Sequence, residues 1–138
     1  MISKIPKPIK VLVVDDMASM RMLIRAVLNR MGNFEIIEAA NGREALQKLS
    51  DNIVDILICD WNMPGISGLE VLHAVREDIK FQRLQKLPVL MVTAEQSCNQ
   101  VRDAIDAGVT GYVSKPFSPA ILQAHIQECL NKRPRKTE

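Results

Sequence analysis

Short apolar runs of strand length alternate with segments of helical periodicity along most of this 138-residue chain. The apolar runs predict five strands, at about residues 10–14, 34–38, 53–59, 88–93 and 110–114. A helix is predicted after each strand, because apolar residues there recur three and four positions apart. This alternation favours an α/β fold, a doubly wound parallel sheet of five strands with helices on both faces.

Each predicted helix has one face that should be buried. Asn41 is expected to cap the second helix, and Pro119 fits the first turn of the last one. The positions predicted to face the sheet are Met20, Leu23, Ile24, Val27 and Met31 in the first helix, Gly42, Ala45, Leu46 and Leu49 in the second, Gly68, Leu72, Val75 and Ile79 in the third, Val101, Ala104, Ile105 and Gly108 in the fourth, and Leu122, Ile126, Cys129 and Leu130 in the last.

The composition is that of a globular domain, with 47% hydrophobic and 25% charged residues. We expect one domain over residues 1–138, with a core at about 10–131 and a basic, solvated tail at 132–138. No apolar run approaches the ~20 residues that span a membrane, and the start of the chain is not signal-like. The expected compartment is therefore the cytoplasm. A net charge of +2 is too small to indicate nucleic acid as a partner.

The cysteines and histidines are not expected to carry chemistry. Cys59, Cys98 and Cys129 are odd in number and widely spaced, which argues against a disulfide framework or a zinc site. Cys59 should fill the core. His73 and His125 lie on helical segments, where they are expected to have no partner.

Polar side chains stand at the ends of four predicted strands. Asp15 and Asp16 follow the first strand, and Asp60 follows the third. Thr93 ends the fourth strand, and Lys115 follows the fifth. Ligands of open α/β sheets bind beyond the carboxyl ends of the strands, so these groups are expected to converge there.

Three converging carboxylates repel one another unless a cation lies among them. The expected ligand atoms are oxygens, with no His or Cys nearby, which favours Mg²⁺ or Mn²⁺ over Zn²⁺. The alternative is that the acids are helix caps. Asp16 could cap the first helix, but capping explains neither Asp15 nor Asp60.

Asp60 is the candidate nucleophile, since a carboxylate oxygen can attack phosphorus and form an aspartyl phosphate. The loop that follows turns sharply, and the backbone carbonyl of Asn62 could reach the metal. Lys115 could hold a phosphoryl oxygen as a point charge, and the Thr93 hydroxyl could donate to another. The Lys115–Pro116 bond is a candidate for the cis form.

Four motifs then identify a family resemblance. They are Val-Val-Asp-Asp at 13–16, Asp-Trp-Asn-Met-Pro at 60–64, Val-Thr-Ala-Glu at 92–95 and Lys-Pro-Phe at 115–117. From residue 10 to about 130 the chain resembles the receiver domain of two-component response regulators, and most of all the single-domain chemotaxis (CheY-like) group. The resemblance implies the flavodoxin-like receiver fold with strand order 2-1-3-4-5.

The resemblance also implies roles in the chemistry. Asp60 would be the phosphoacceptor. Asp16, Asp60 and the Asn62 carbonyl would bind Mg²⁺, and Asp15 would act on the metal through water. Lys115 would hold the phosphoryl group together with a hydroxyl from the fourth strand.

Further roles concern switching and lifetime. Thr93 would supply the hydroxyl that holds the phosphoryl group. Its side chain would move toward that group while Tyr112 rotates into the space that Thr93 leaves. The output surface would be the fourth helix, fifth strand and fifth helix, roughly residues 95–130. Asn62 and Glu95 stand where the family tunes its dephosphorylation rate.

The implied protein is a monomeric signalling domain and not an enzyme, beyond its own phosphorylation and slow autodephosphorylation. Its partners would be a histidine kinase, a downstream protein such as a flagellar motor switch protein, and in some relatives a phosphatase. A phosphate sink, a non-flagellar regulator or an adaptor with a decayed site are alternatives. An aspartate-nucleophile phosphatase is disfavoured because such enzymes carry an acid at the position of Asn62. A flavodoxin-like electron carrier is disfavoured because Asp15 and Asp16 would repel a flavin phosphate.

Some residues depart from the family pattern. Ser67 stands where Asp is common, which is expected to alter the start of the third helix. The stretch from 77 to 87 is slightly longer than usual. The remaining departures lie near the implied output surface and leave the partner open: Gln96, Ser97, Cys98 and Ser114.

Overall fold

The computed structural model describes residues 7–94 and 97–134. Five parallel strands form one sheet in the order β2-β1-β3-β4-β5, as predicted. The strands are β1 (Ile9–Val14), β2 (Phe34–Ala39), β3 (Ile56–Cys59), β4 (Val89–Thr93) and β5 (Gly111–Ser114). The helices are α1 (Ala18–Met31), α2 (Gly42–Asp51), α3 (Gly68–Glu77), α4 (Cys98–Asp106) and α5 (Pro119–Asn131), with a 3-10 segment at Ile79–Leu84.

The sheet separates two apolar clusters, because successive strand residues point to opposite faces. On one face, Leu12 and Leu57 pack with α2, α3 and the 3-10 segment. On the other face, Val13 and Ile58 pack with α1 and α5. The central strands are buried on both faces, which is why they read as continuous apolar runs. Cys59 and Cys129 are buried in these clusters and Cys98 is exposed, all three as free thiols.

Five predicted core positions are wrong, among them Gly108, which is exposed because α4 ends at Asp106. Ile53 is 71% exposed because β3 begins only at Ile56, and Ile79 is 82% exposed because α3 ends at Glu77. The chain changes direction at Asp78, so the 3-10 segment buries Phe81 and Leu84 instead. The other two errors are Leu23, 40% exposed, and Ile105, 64% exposed. The buried faces of α1 and α4 are narrower than the helical pattern predicted, and these two residues lie at their edges.

The starts of α2 and α5 agree with the predictions from the sequence. The Asn41 side chain accepts from the Glu44 amide at 2.8 Å, and Pro119 lies in the first turn of α5. Ser67 forms a capping box with Glu70, and α3 begins at the following residue. No helix in the described ranges is long and apolar enough to cross a membrane.

One histidine has a partner that the sequence did not predict. The Nδ1 atom of His73 lies 2.6 Å from a carboxylate oxygen of Glu77, one helical turn away on the exposed side of α3. Pairs at this spacing contribute little to stability, and the contact lies away from the strand ends. His73 thus lies on the exposed surface of α3, away from the strand-end acids.

The capping box at α3 predicts a stability difference between two variants. Ser67→Ala removes the side-chain acceptor of the Glu70 amide and should lower the free energy of unfolding by about 1 kcal/mol. Ser67→Asp keeps an acceptor and should stay within about 0.5 kcal/mol of the wild type. Urea denaturation measures both, and equal losses in the two variants would contradict the cap.

Candidate functional site

The three predicted acids meet at the carboxyl end of the sheet. β1 and β3 are neighbours with Val14 opposite Cys59, so the residues after them emerge side by side. The Asp60 amide donates to the Val14 carbonyl at 2.9 Å, which extends the ladder by one bond. Each of Asp15, Asp16 and Asp60 offers a carboxylate oxygen, and these atoms lie within 4.8 Å of one another. Asp15 and Asp60 are buried, and Asp16 is exposed.

Lys115 brings one ammonium group to these acids. Its Nζ atom donates to Asp15 Oδ2 at 2.8 Å and lies 3.6 Å from Asp60 Oδ2. β4 lies between β3 and β5, so the long lysine side chain reaches across the strand end that carries Thr93. The Lys115 amide donates to the Thr93 carbonyl at 2.9 Å, and the Lys115–Pro116 bond is cis, as predicted.

The electrostatics of the site leave Asp60 incompletely compensated. Burial raises the pKa of the Asp60 carboxyl above its ordinary value, and Asp15 and Asp16 raise it further. The Lys115 ammonium and a hydrogen bond from the Asn62 backbone amide act in the opposite direction but do not cancel the effect. Three carboxylates thus face one ammonium, which leaves negative charge in a largely buried position.

The donor set fits a hard divalent cation. All three clustered ligand atoms are carboxylate oxygens, and the nearest thiol, Cys59, is fully buried with its pKa raised by burial and by the adjacent acids. Oxygen ligands with one exposed side suit Mg²⁺, which needs only one or two carboxylates and keeps several waters. A cavity of about 460 Å³ opens beside Asp16, on the side of the acid cluster that faces the start of α2.

Arg21 is a site residue that the sequence reasoning missed. Its guanidinium donates to the Asp15 backbone carbonyl at 2.6 Å and to Glu38 at 2.9 Å. The Arg25 guanidinium also donates to the Glu38 carboxylate, at 2.6 Å. The hydrogen bonds from the two arginines hold the pKa of the Glu38 carboxyl below its ordinary value. This network ties the loop after β1 to β2. Arginines four residues apart on α1 were the available signal.

Gly68 is the second site residue that was missed, because the periodicity placed it only on a buried helix face. A Cβ atom at this position would lie 2.2 Å from the Asp60 carbonyl oxygen and 2.9 Å from the Trp61 Cα. The Gly68 amide donates to the Trp61 carbonyl at 2.9 Å, which closes the loop. Close approach of α3 to the loop after Asp60 therefore requires glycine here.

The predicted switch residues lie on neighbouring strands. Thr93 is fully buried at the end of β4, opposite Ser114 of β5. Tyr112 lies two residues earlier on β5, half-buried, and packs against the α2–α3 side of the core. Asn62 is exposed in the loop after Asp60. Glu95 and Gln96 lie outside the described residues.

Comparisons with known proteins agree with this arrangement. A model of the response regulator receiver domain family matches residues 11–127. The Pseudomonas aeruginosa chemotaxis protein CheY is 44% identical over 89% of this chain and 97% of its own length. Helicobacter pylori CheY1 is 40% identical over 88% of this chain and 96% of its own length. The structure of Vibrio cholerae chemotaxis protein CheY4 superposes with a TM-score of 0.80 at 36% identity, covering 89% of this chain and 99% of that one.

The raised pKa of Asp60 predicts a pH-dependent gain in stability on Asp60→Asn. The unfolded carboxyl, with an ordinary pKa of 3.8, loses its proton first as the pH rises, so ionisation favours unfolding. Without divalent cations, Asp60→Asn should therefore unfold at higher urea concentration than the wild type at pH 7. The difference should shrink as the pH falls toward about 4.

The exposed Asp106→Asn is the matched control for this pH series, since it removes one carboxylate outside the cluster. It should change the free energy of unfolding at pH 7 by no more than about 0.5 kcal/mol, as expected for an exposed carboxylate at a helix end. If the wild type were more stable than Asp60→Asn at pH 7, the ionised Asp60 carboxylate would not destabilise the fold, and the prediction would be wrong.

The close approach at Gly68 predicts a specific loss of stability. Gly68→Ala should lower the free energy of unfolding by about 1–3 kcal/mol, because the loop after Asp60 must move to admit a methyl group. Gly32→Ala is the control, since its Cβ would meet nothing nearer than Phe34 at 4.0 Å. Urea denaturation of both variants tests this, and a Gly68→Ala protein as stable as Gly32→Ala would refute it.

Proposed function

The chain belongs to the response regulator receiver domain family of two-component signal transduction, and we propose that it accepts a phosphoryl group on Asp60 and acts in chemotaxis. The single observation that carries the proposal is the cluster of three strand-end carboxylates with the ammonium of Lys115 against two of them. The similarity of the chain to chemotaxis proteins supports a role in chemotaxis. The proposal treats residues 1–138 as one receiver unit.

Asp16, Asp60 and the Asn62 carbonyl would hold Mg²⁺, with Asp15 acting on it through water. When bound, the ion supplies positive charge that offsets the acids and the phosphoryl oxygens. Asp15 and Asp60 are buried and share Lys115, whereas Asp16 faces solvent, which leaves one side of the cluster open to a donor.

The transfer itself would be an in-line displacement on phosphorus. A bond forms between an Asp60 carboxylate oxygen and phosphorus, while the bond from phosphorus to the donor breaks and its electron pair leaves with the donor. The donor is a phosphohistidine of a histidine kinase or a small acyl phosphate. Lys115 would stabilise the charge on the phosphoryl oxygens, since its Nζ already lies 3.6 Å from Asp60.

Phosphorylation would then bias a two-state element. The product adds roughly −1.5 to −2 charges beside the end of β4. Thr93 would donate to the phosphoryl group, and Tyr112 would fill the space that the threonine leaves. The affected surface is α4, β5 and α5, which follow directly on the switch residues. A bias of a few kcal/mol is enough to change which state dominates.

The proposed partners are a histidine kinase and a downstream protein, with the flagellar motor switch as the leading candidate and a phosphatase as a further one. Asn62 and Glu95 would tune the lifetime of the phosphorylated state. The chain would turn over no substrate beyond its own phosphorylation and dephosphorylation. A second function, phosphoester hydrolysis, finds no support in the geometry, because Asn62 replaces the acid that such an enzyme needs.

Acetyl phosphate with Mg²⁺ tests the chemistry directly. Intact mass should show one added phosphoryl group on the wild type and none on Asp60→Asn, and chelation of the metal should abolish labelling. Lys115→Ala should be labelled at least about tenfold more slowly, because it removes a charge-stabilising group. Equal labelling of the wild type and Asp60→Asn would place the acceptor elsewhere.

Replacement of Tyr112 separates switching from chemistry. Tyr112→Ala should still be phosphorylated on Asp60, since the ring lies on β5 and outside the acid cluster. Beryllofluoride should change the hydrogen exchange of residues 97–130 in the wild type and change it much less in the variant. If the two proteins respond equally to beryllofluoride, Tyr112 is a packing residue only.

A further inference from the structure

A second and larger cavity, of about 800 Å³, opens at the opposite end of the sheet. Its walls come from the turn before β3, the 3-10 segment with the turn before β4, and the end of α5. We call it the basal groove. The phosphoacceptor site lies beyond the carboxyl ends of the strands, whereas the basal groove lies at their amino ends. The two sites are therefore separated by the length of the sheet.

The interior of the basal groove is apolar. Val54, Leu84, Leu87 and Leu130 line it, and each of these side chains is otherwise packed into the core. Ile53 stands at the same groove with 71% of its surface exposed. Ile53 thus extends the apolar lining of the groove to the exposed surface.

The edge of the basal groove is cationic. Arg83, Lys86 and Arg133 line it, and none of them forms an ion pair with any residue between 7 and 94 or 97 and 134. The guanidinium of Arg83 is fixed by a bond to the Leu49 carbonyl at 2.9 Å. The acid that lines the groove, Asp55, already accepts from the Lys10 amide at 2.8 Å.

We propose that the basal groove binds a small amphiphilic anion, with its apolar body on the leucines and its carboxylate or phosphate head at Lys86 and Arg133. The cavity volume lies within the ~300–1,000 Å³ of small-molecule sites. Three unpaired cations against one acid favour an anionic head.

One wall of the groove falls in the stretch 77–87, which the sequence predicts to be slightly longer than in the family. The 3-10 segment and the turn after it supply Arg83, Leu84, Lys86 and Leu87. Phe81 anchors this wall in the core. The groove is thus built by residues that lie outside the phosphoacceptor site.

Anilinonaphthalene sulfonate is a suitable probe, because it joins two aromatic rings to one anionic group. Its fluorescence should rise on saturable binding of one molecule to the folded wild type. Phenylnaphthylamine, which has the same rings without the sulfonate, should bind more weakly. Dodecanoate and dodecyl phosphate should each compete with the probe, and their relative affinities identify the preferred head group.

Three variants locate the probe. Lys86→Gln should weaken binding about two- to fivefold, as expected for one partly solvated charge, and Ile53→Asp should weaken it at least as much. Lys80→Gln removes a lysine from the same 3-10 segment outside the groove and should bind like the wild type. All three positions are exposed, so folding should be preserved. No saturable binding, or equal affinity in the wild type, Lys86→Gln and Ile53→Asp, would overturn the proposal.

Discussion

The crowding of three carboxylates, two of them against the same ammonium, is the constraint on which the rest of this structure depends. Asp15 and Asp60 are held almost out of water, and their shared cation is Lys115. Such an arrangement costs stability when no further cation is present, because a buried charge is compensated only in part. The fold therefore stores an electrostatic penalty where a divalent ion and a phosphoryl group would be placed.

The surrounding elements hold the acids in this position. The β1–β3 ladder fixes the backbone of Asp60, Arg21 ties the loop after β1 to β2, and Gly68 lets α3 approach the loop after Asp60. Lys115 reaches the cluster from β5, across the end of β4 that carries Thr93. A change of charge at the acids would therefore act on the Lys115 side chain, and through it on β5, which is part of the proposed output surface.

Much of this was predictable from the sequence, because strand length, helical spacing and strand-end acids are local patterns. The positions of Asp15, Asp16, Asp60 and Lys115 followed from the rule that parallel strands end together. The strand order came from the family resemblance. Helical spacing failed at Ile79 because it does not report where a helix ends, and at Ile53 because an apolar run can precede its strand.

The roles of Arg21 and Gly68 were missed for a different reason. Each depends on how closely two elements approach in space; the spacing of Arg21 and Arg25 places two cations on one side of α1 but does not show what they contact. The basal groove has the same origin, since its walls come from three separate parts of the sequence and only the fold brings them together.

The most direct test of the central claim is a Mg²⁺ titration of the melting temperature. The sole tryptophan, Trp61, follows Asp60 and provides a second signal through its fluorescence. A metal site at these acids predicts that Mg²⁺ raises the melting temperature of the wild type with saturation, that the fluorescence changes over the same concentrations, and that both responses are lost or strongly weakened in Asp60→Asn. A wild type unaffected by Mg²⁺, or an Asp60→Asn protein that responds identically, would contradict it.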